Sequence, residues 1–246
     1  MLERTLLQML KESRYTTVLS GYEMLLENGY PAIRDGSESY DIEAKYGFSL
    51  EEMFSSGFYS TRKEQFFEFY RNEILSSLDI PPGKGFVDLA KLQQKGLVQS
   101  VITRRIYGLP GRAGCQNVIN LHGSVYENHC PGCGRKYPVE YIRESKRVPL
   151  CEHCHAPIRP DVCFFGEMVD NSVITRAAEE VQKADLLIAL GTNLNTYLCT
   201  QLVNYYEGEK LVVVHSTPHF SDRFADLVID QRVDETLENI IKELGE

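Results

Sequence analysis

The chain predicts an α/β fold, a doubly wound parallel sheet of the Rossmann-like kind with a small insert, and three observations carry that expectation. The segments ADLLIALGT (184–192) and LVVVHS (211–216) are continuous apolar runs, which suit strands buried on both faces. Helical patterns at 173–184 and 233–244 accompany them, and alternation of strand and helix builds a parallel sheet covered on both sides. Between 125 and 160 the apolar periodicity gives way to cysteines, histidines, prolines and glycines, the composition of an insert.

Taken in order, residues 4–15 read as an amphipathic helix, and TTVLSG (16–21) as a short β-branched strand entering a glycine turn. From 50 to 77, Met53, Phe54, Phe58, Phe66, Phe67, Phe69, Tyr70 and Ile74 recur at helical spacing and predict two helices with an aromatic core. A turn at 78–85 leads to a helix at 87–98, closed by Gly96, and then to the strand 98–104. After the insert come the helix 173–184, the strands 184–192, 211–216 and 225–230, and a last helix at 233–244. The domain plan is therefore 1–124 with 161–246 as the α/β domain, 125–160 as the insert, and a helical insert at 36–80. Ligands of such sheets bind at the carboxyl ends of the strands, which points to a crevice around Gly21, Arg104, Gly191 and His215.

The bulk numbers exclude some classes. At 246 residues the chain is long enough for a large core plus an insert. A net charge of −9 disfavours nucleic acid as a partner, because phosphate neutralisation needs an excess of lysine and arginine. No apolar run reaches the roughly 18 residues of a membrane helix, and the first residues lack the apolar core of a secretory signal. The expectation is a cytoplasmic protein with no membrane partner; its oligomeric state is not legible.

Four of the seven cysteines form two CxxC pairs, Cys130/Cys133 and Cys151/Cys154. Such turns hold two thiolates at a metal's bite angle, and two of them complete a tetrahedron suited to Zn2+. Four sulfurs leave no open position, so the zinc-ribbon insert is structural. His129, His153 and His155 lie near enough in sequence for one of them to replace a cysteine. Cys115, Cys163 and Cys199 stand alone and read as small buried hydrophobes.

The segment INLHGSVYENHCPGC (119–133), the second CxxC, IRPDVCFFGE (158–167), LLIALGT (186–192) and LVVVHS together resemble the sirtuin family, in order and spacing, across roughly 16–244. The resemblance implies NAD-dependent removal of acyl groups from protein lysines. It implies that His122 is the general base on the ribose hydroxyl, a role suited to a side chain that titrates near neutrality; packing beside the insert is the alternative reading. It places an acylated lysine peptide or protein, added as a β-strand, along Val162, Phe164, Phe165 and Gly166. Cofactor positions carried over are Gly21, Arg34, Gly191, Thr192, Asn193 and His215.

The cofactor motifs depart from the family pattern. Where sirtuins open with Gly-Ala-Gly-x-Ser and end in Pro-x-Phe-Arg, this chain reads Gly21-Tyr22-Glu23-Met24-Leu25 and Pro31-Ala32-Ile33-Arg34. The family's Thr-Gln-Asn-Ile-Asp reads Thr103-Arg104-Arg105-Ile106-Tyr107, Gly-Thr-Ser reads Gly191-Thr192-Asn193, and the asparagine after the apolar strand is His215. A glycine turn lets backbone N–H groups approach a diphosphate, and a carboxylate there adds bulk and like charge. The expectation is a sirtuin-like protein with NAD-dependent deacylase activity reduced or lost. The alternative is a non-catalytic protein that binds a peptide or a different anionic or nucleotide-like ligand. Arg104 and Arg105 either receive such an anion or pair with acidic neighbours.

Overall fold

The computed structural model describes residues 2–31 and 37–245. Nine strands lie among the described residues: β1 (Thr16–Ser20), β2 (Ser100–Thr103), β3 (Val118–Asn120), β4 (Gly123–His129), β5 (Lys136–Tyr137), β6 (Arg159–Val162), β7 (Leu186–Leu190), β8 (Lys210–His215) and β9 (Leu227–Asp230). The chain divides into two compact units, one made of Met1–Gly29, Pro81–Leu121 and Asp170–Glu246, the other of Tyr30–Ile80 and His122–Val169. The second is wider than the cysteine-rich stretch alone, because the helices before residue 80 group with it.

The first unit holds a six-stranded sheet in the order β3-β2-β1-β7-β8-β9, and its pairings are all parallel. The order reverses direction at β1/β7, the switch point of a doubly wound sheet. Every residue of β1, β2 and β7 is buried, as continuous apolar strands in a covered sheet must be. One layer of core joins Leu19, Ile102, Leu187, Ala189 and Val213 to Ala177 and Val181 of the helix Asn171–Gln182. The polar strand residues are satisfied: Thr17 Oγ1 lies 2.9 Å from Ser100 Oγ and donates to Glu180 O at 2.8 Å.

The second unit carries the three-stranded antiparallel sheet β5-β4-β6 and a run of short helices. Where the periodicity predicts two helices over 50–77, the structure has three, Leu50–Met53, Ser56–Thr61 and Lys63–Phe69, followed by a π turn and a 3-10 turn. The reason is capping. Ser49 and Glu52 form a reciprocal box, Ser55 caps the next helix, and Arg62 leaves helical geometry between the last two. The aromatic positions still converge. Phe66 and Phe164 ring centroids are 5.2 Å apart and Phe54 and Phe164 5.3 Å, both edge-on.

Candidate functional site

In the first unit the carboxyl ends of β1, β2, β7 and β8 bring Gly21, Arg104, Gly191 and His215 to one edge of the sheet. Gly21 sits where backbones nearly touch: a Cβ there would lie 2.3 Å from Gly191 O and 2.4 Å from Thr192 Cβ. The chain then turns directly into the helix Tyr22–Glu27. Glu23 N donates to Gly191 O at 3.0 Å, so the start of this helix lies over the end of β7. The Glu23 carboxylate reaches on to the segment after β8, accepting from Ser216 N at 2.9 Å and Ser216 Oγ at 3.1 Å. Glu23 thus straps the turn after β1 to the turn after β8, across the Gly191–Asn193 turn.

The remaining cofactor positions carried over from the resemblance are also held internally. Thr192 Oγ1 lies 3.0 Å from Thr196 Oγ1. Asn193 Oδ1 accepts from Asn195 N at 3.0 Å, an Asx turn. His215 is 1% exposed, with Nε2 3.1 Å from Asp222 Oδ2. Arg104 lies over the exposed Tyr197 ring at 4.7 Å and Arg105 over the part-buried Tyr22 ring at 5.2 Å, cation–π contacts in which both arginines are part-buried. Arg34 lies outside the described residues.

In the second unit the four cysteines converge, their sulfur atoms all within 4.8 Å of one another. Cys130 and Cys154 Sγ are 3.3 Å apart, Cys133 and Cys151 Sγ 3.5 Å. A disulfide needs about 2.05 Å. Four sulfurs about 2.3 Å from one zinc ion stand about 3.8 Å apart, close to what is seen. Each pair sits on a tight turn: Gly134 N donates to Cys130 O and His155 N to Cys151 O, and Gly134 and His155 both have positive φ. Tyr137 Oη donates to Cys151 Sγ at 3.2 Å and His153 N does so at 3.4 Å. These donors outweigh burial and hold the Cys151 thiol toward the thiolate that binds metals. His129 is paired instead with Asp161.

His122 opens the same unit. Its carbonyl accepts from Cys163 N at 2.9 Å, and Gly123 pairs with Val162 across β4 and β6. Gly123 has a φ of 74°, and a Cβ on it would lie 1.9 Å from Asp161 O. Only glycine fits beside that histidine. Val162 and Phe164 are buried, at 3% and 1% exposed, so they shape this segment from behind. Gly166 is exposed and Phe165 part-buried. Phe165 N donates to Phe54 O at 3.0 Å, and Phe165 O accepts from Ser56 N at 3.1 Å.

Sequence reasoning missed the partners. Ser216, Asp222 and Tyr137 become visible only in space, as does the pairing of Arg159 Nη2 with both Glu167 carboxylate oxygens. Glu167 was within reach, as part of the Phe-Gly-Glu motif; no local pattern signals the bond between Glu23 and Ser216.

Comparison with known proteins agrees in family. The Sir2 family model matches residues 25–197. An NAD-dependent protein deacetylase of Clostridium tetani is 34% identical over 245 residues, covering 98% of each chain. One from Thermotoga maritima is 35% identical over 244 residues, covering 97% of each. Among solved structures, one of Sir2 with a p53 peptide and NAD+ has a TM-score of 0.84 at 34% identity, covering 100% of this chain and 99% of its own.

Proposed function

The chain belongs to the Sir2 family, and from that premise we propose that it is a sirtuin-like protein for acyl-lysine peptides in which NAD-dependent deacylation is reduced or lost. One observation carries this reading: the Glu23 carboxylate, bonded to Ser216 across the end of β7. The residues at this turn do not fit a dinucleotide diphosphate. In place of a small residue whose backbone can approach phosphate, the turn presents a carboxylate. That carboxylate already takes the N–H and O–H of Ser216, donors at the edge where an anion would seek them. Two like charges 4 Å apart cost about 4 kcal/mol at an effective dielectric near 20, roughly a thousandfold in affinity. Tyr22 adds bulk beside it, with the Arg105 guanidinium over its ring.

The acyl-lysine peptide remains the substrate or ligand class that the family implies, and the relatives' recorded activity supports it. Gly166 and part-buried Phe165 form the accessible part of the segment assigned to it, and His122 is the residue assigned to proton abstraction in whatever turnover persists. Where turnover is absent, the same surface makes a peptide-binding protein. Cys130, Cys133, Cys151 and Cys154 fit Zn2+, and together they would hold it as a structural ion with no open position. The ion's chemistry is to tie two turns together.

The test is an acetyl-lysine peptide incubated with zinc-loaded protein and millimolar NAD. The reading expects no product, or a rate at least about a hundredfold below the median enzyme turnover of about 10 per second. Ordinary turnover would overturn it. Any residual rate should vanish in His122→Ala.

A further inference from the structure

In the second unit an ion pair holds the segment that follows β6. Arg159 Nη2 donates to both Glu167 oxygens at 2.8 Å, and each side chain is about a quarter exposed (25% and 26%). Glu167 Oε2 also accepts from Phe164 N at 3.0 Å, while Glu167 N donates to Phe164 O at 3.0 Å. The carboxylate and the backbone of one residue therefore close both polar groups of Phe164. The guanidinium carbon lies over two aromatic rings of the core, 4.7 Å from the Phe164 centroid and 5.5 Å from the Tyr59 centroid. A cation held over aromatic rings and bonded to a carboxylate at once favours arginine over the more strongly hydrated ammonium of lysine.

The loop thus held runs from Cys163 to Glu167. At one end Cys163 N reaches His122 O. In the middle Phe165 bonds on both sides to Phe54 and Ser56. At its tip Gly166 has a φ of 86°. We propose that Arg159 and Glu167 are positioning residues, a clamp that presets Phe165–Gly166 as a rigid contact surface for an acyl-lysine peptide and fixes the main chain of His122 to it. The proposal rests on the peptide reading above for its ligand, and on the hydrogen bonds alone for the clamp. With Phe164 and Phe165 bonded within the unit, the peptide meets a finished surface, and little ordering of this loop remains to oppose binding.

The experiment uses the zinc-loaded full chain as wild type, Arg159→Ala, Arg159→Lys and Glu167→Gln. Amide hydrogen exchange is read over 163–167, and affinity for a fluorescent acetyl-lysine peptide is measured by polarisation. The clamp predicts exchange faster by about tenfold or more in Arg159→Ala and Glu167→Gln. Peptide affinity should fall by a similar factor, with Arg159→Lys between these and wild type and with exchange in β1 unchanged. Arg159→Lys keeps the charge and serves if a more drastic variant does not fold. Exchange unchanged in every folded variant overturns the clamp. A lowered melting temperature with unchanged peptide affinity overturns the positioning role and leaves an ordinary structural contact. A wild type that binds no acetyl-lysine peptide overturns the peptide reading and the surface's purpose, a failure distinct from the first because exchange still reports on the clamp.

Discussion

Single side chains decide most of the chemistry here, and they were the least legible. The residue types at the cofactor motifs could be read directly, so Glu23 was visible as an intruder in a glycine turn. Its use as a strap to Ser216, 193 positions away, was not. No local pattern encodes which distant N–H a carboxylate will find. Asp185 behaves likewise. Burial pushes its carboxyl up, but bonds from Ser13 Oγ (2.5 Å), Arg14 N (3.0 Å) and Tyr15 N (3.1 Å) prevail and hold it down to about 2. A depressed carboxyl contributes stability above its ordinary value of 3.8, and that contribution is lost as pH falls from there toward 2. Asp185→Asn should therefore destabilise at neutral pH by about 1–3 kcal/mol. It should also flatten the loss of stability between those two values. Urea melts across that pH range check it; parallel curves for variant and wild type would contradict it.

Elements were far easier to read. The strands at 186–190 and 210–215 and the final helix follow from apolar runs and 3.6-residue periodicity, to within two residues of the predicted bounds. Residues 50–77 were harder, because serine caps cut a continuous helical pattern into pieces, and only the geometry shows which serines act as caps. The last helix, Val233–Glu243, has a cap that lies elsewhere in sequence. Arg232 at its N-cap makes no side-chain capping bond, its guanidinium pairing with Asp234 instead, and Glu27 accepts from Val233 N at 2.9 Å and Asp234 N at 3.0 Å. Glu27→Ala should destabilise by about 1–2 kcal/mol, the range for a lost cap, with faster amide exchange in the first turn of that helix. Gly123→Ala is expected to do worse. The new Cβ meets a backbone oxygen, and φ is positive, so a loss of about 2 kcal/mol or more follows from overpacking and a left-handed alanine together. Denaturant melts of each variant report both losses.

For the whole molecule, two properties matter most: what folds the cysteine-bearing unit, and what the sheet's carboxyl edge accepts. The sulfur cluster fastens turns that connect β4, β5 and β6, and structural zinc contributes directly to folding. Stripping the metal with a strong chelator should speed amide exchange throughout 122–169, while β1 and β7 keep their protection; equal protection after verified metal loss would contradict a structural ion. The family and the parallel sheet were legible across nearly the whole chain, because scaffold residues keep their order and spacing. The edge was legible only as a set of departures. The most direct test of the central claim is calorimetric titration of zinc-loaded protein with NAD, for wild type and for Glu23→Gly. The strap predicts no saturable binding by wild type up to about 1 mM, and a gain of at least about tenfold, or about 1.4 kcal/mol, in the variant. Micromolar binding by wild type, or a variant no better than wild type, would contradict it.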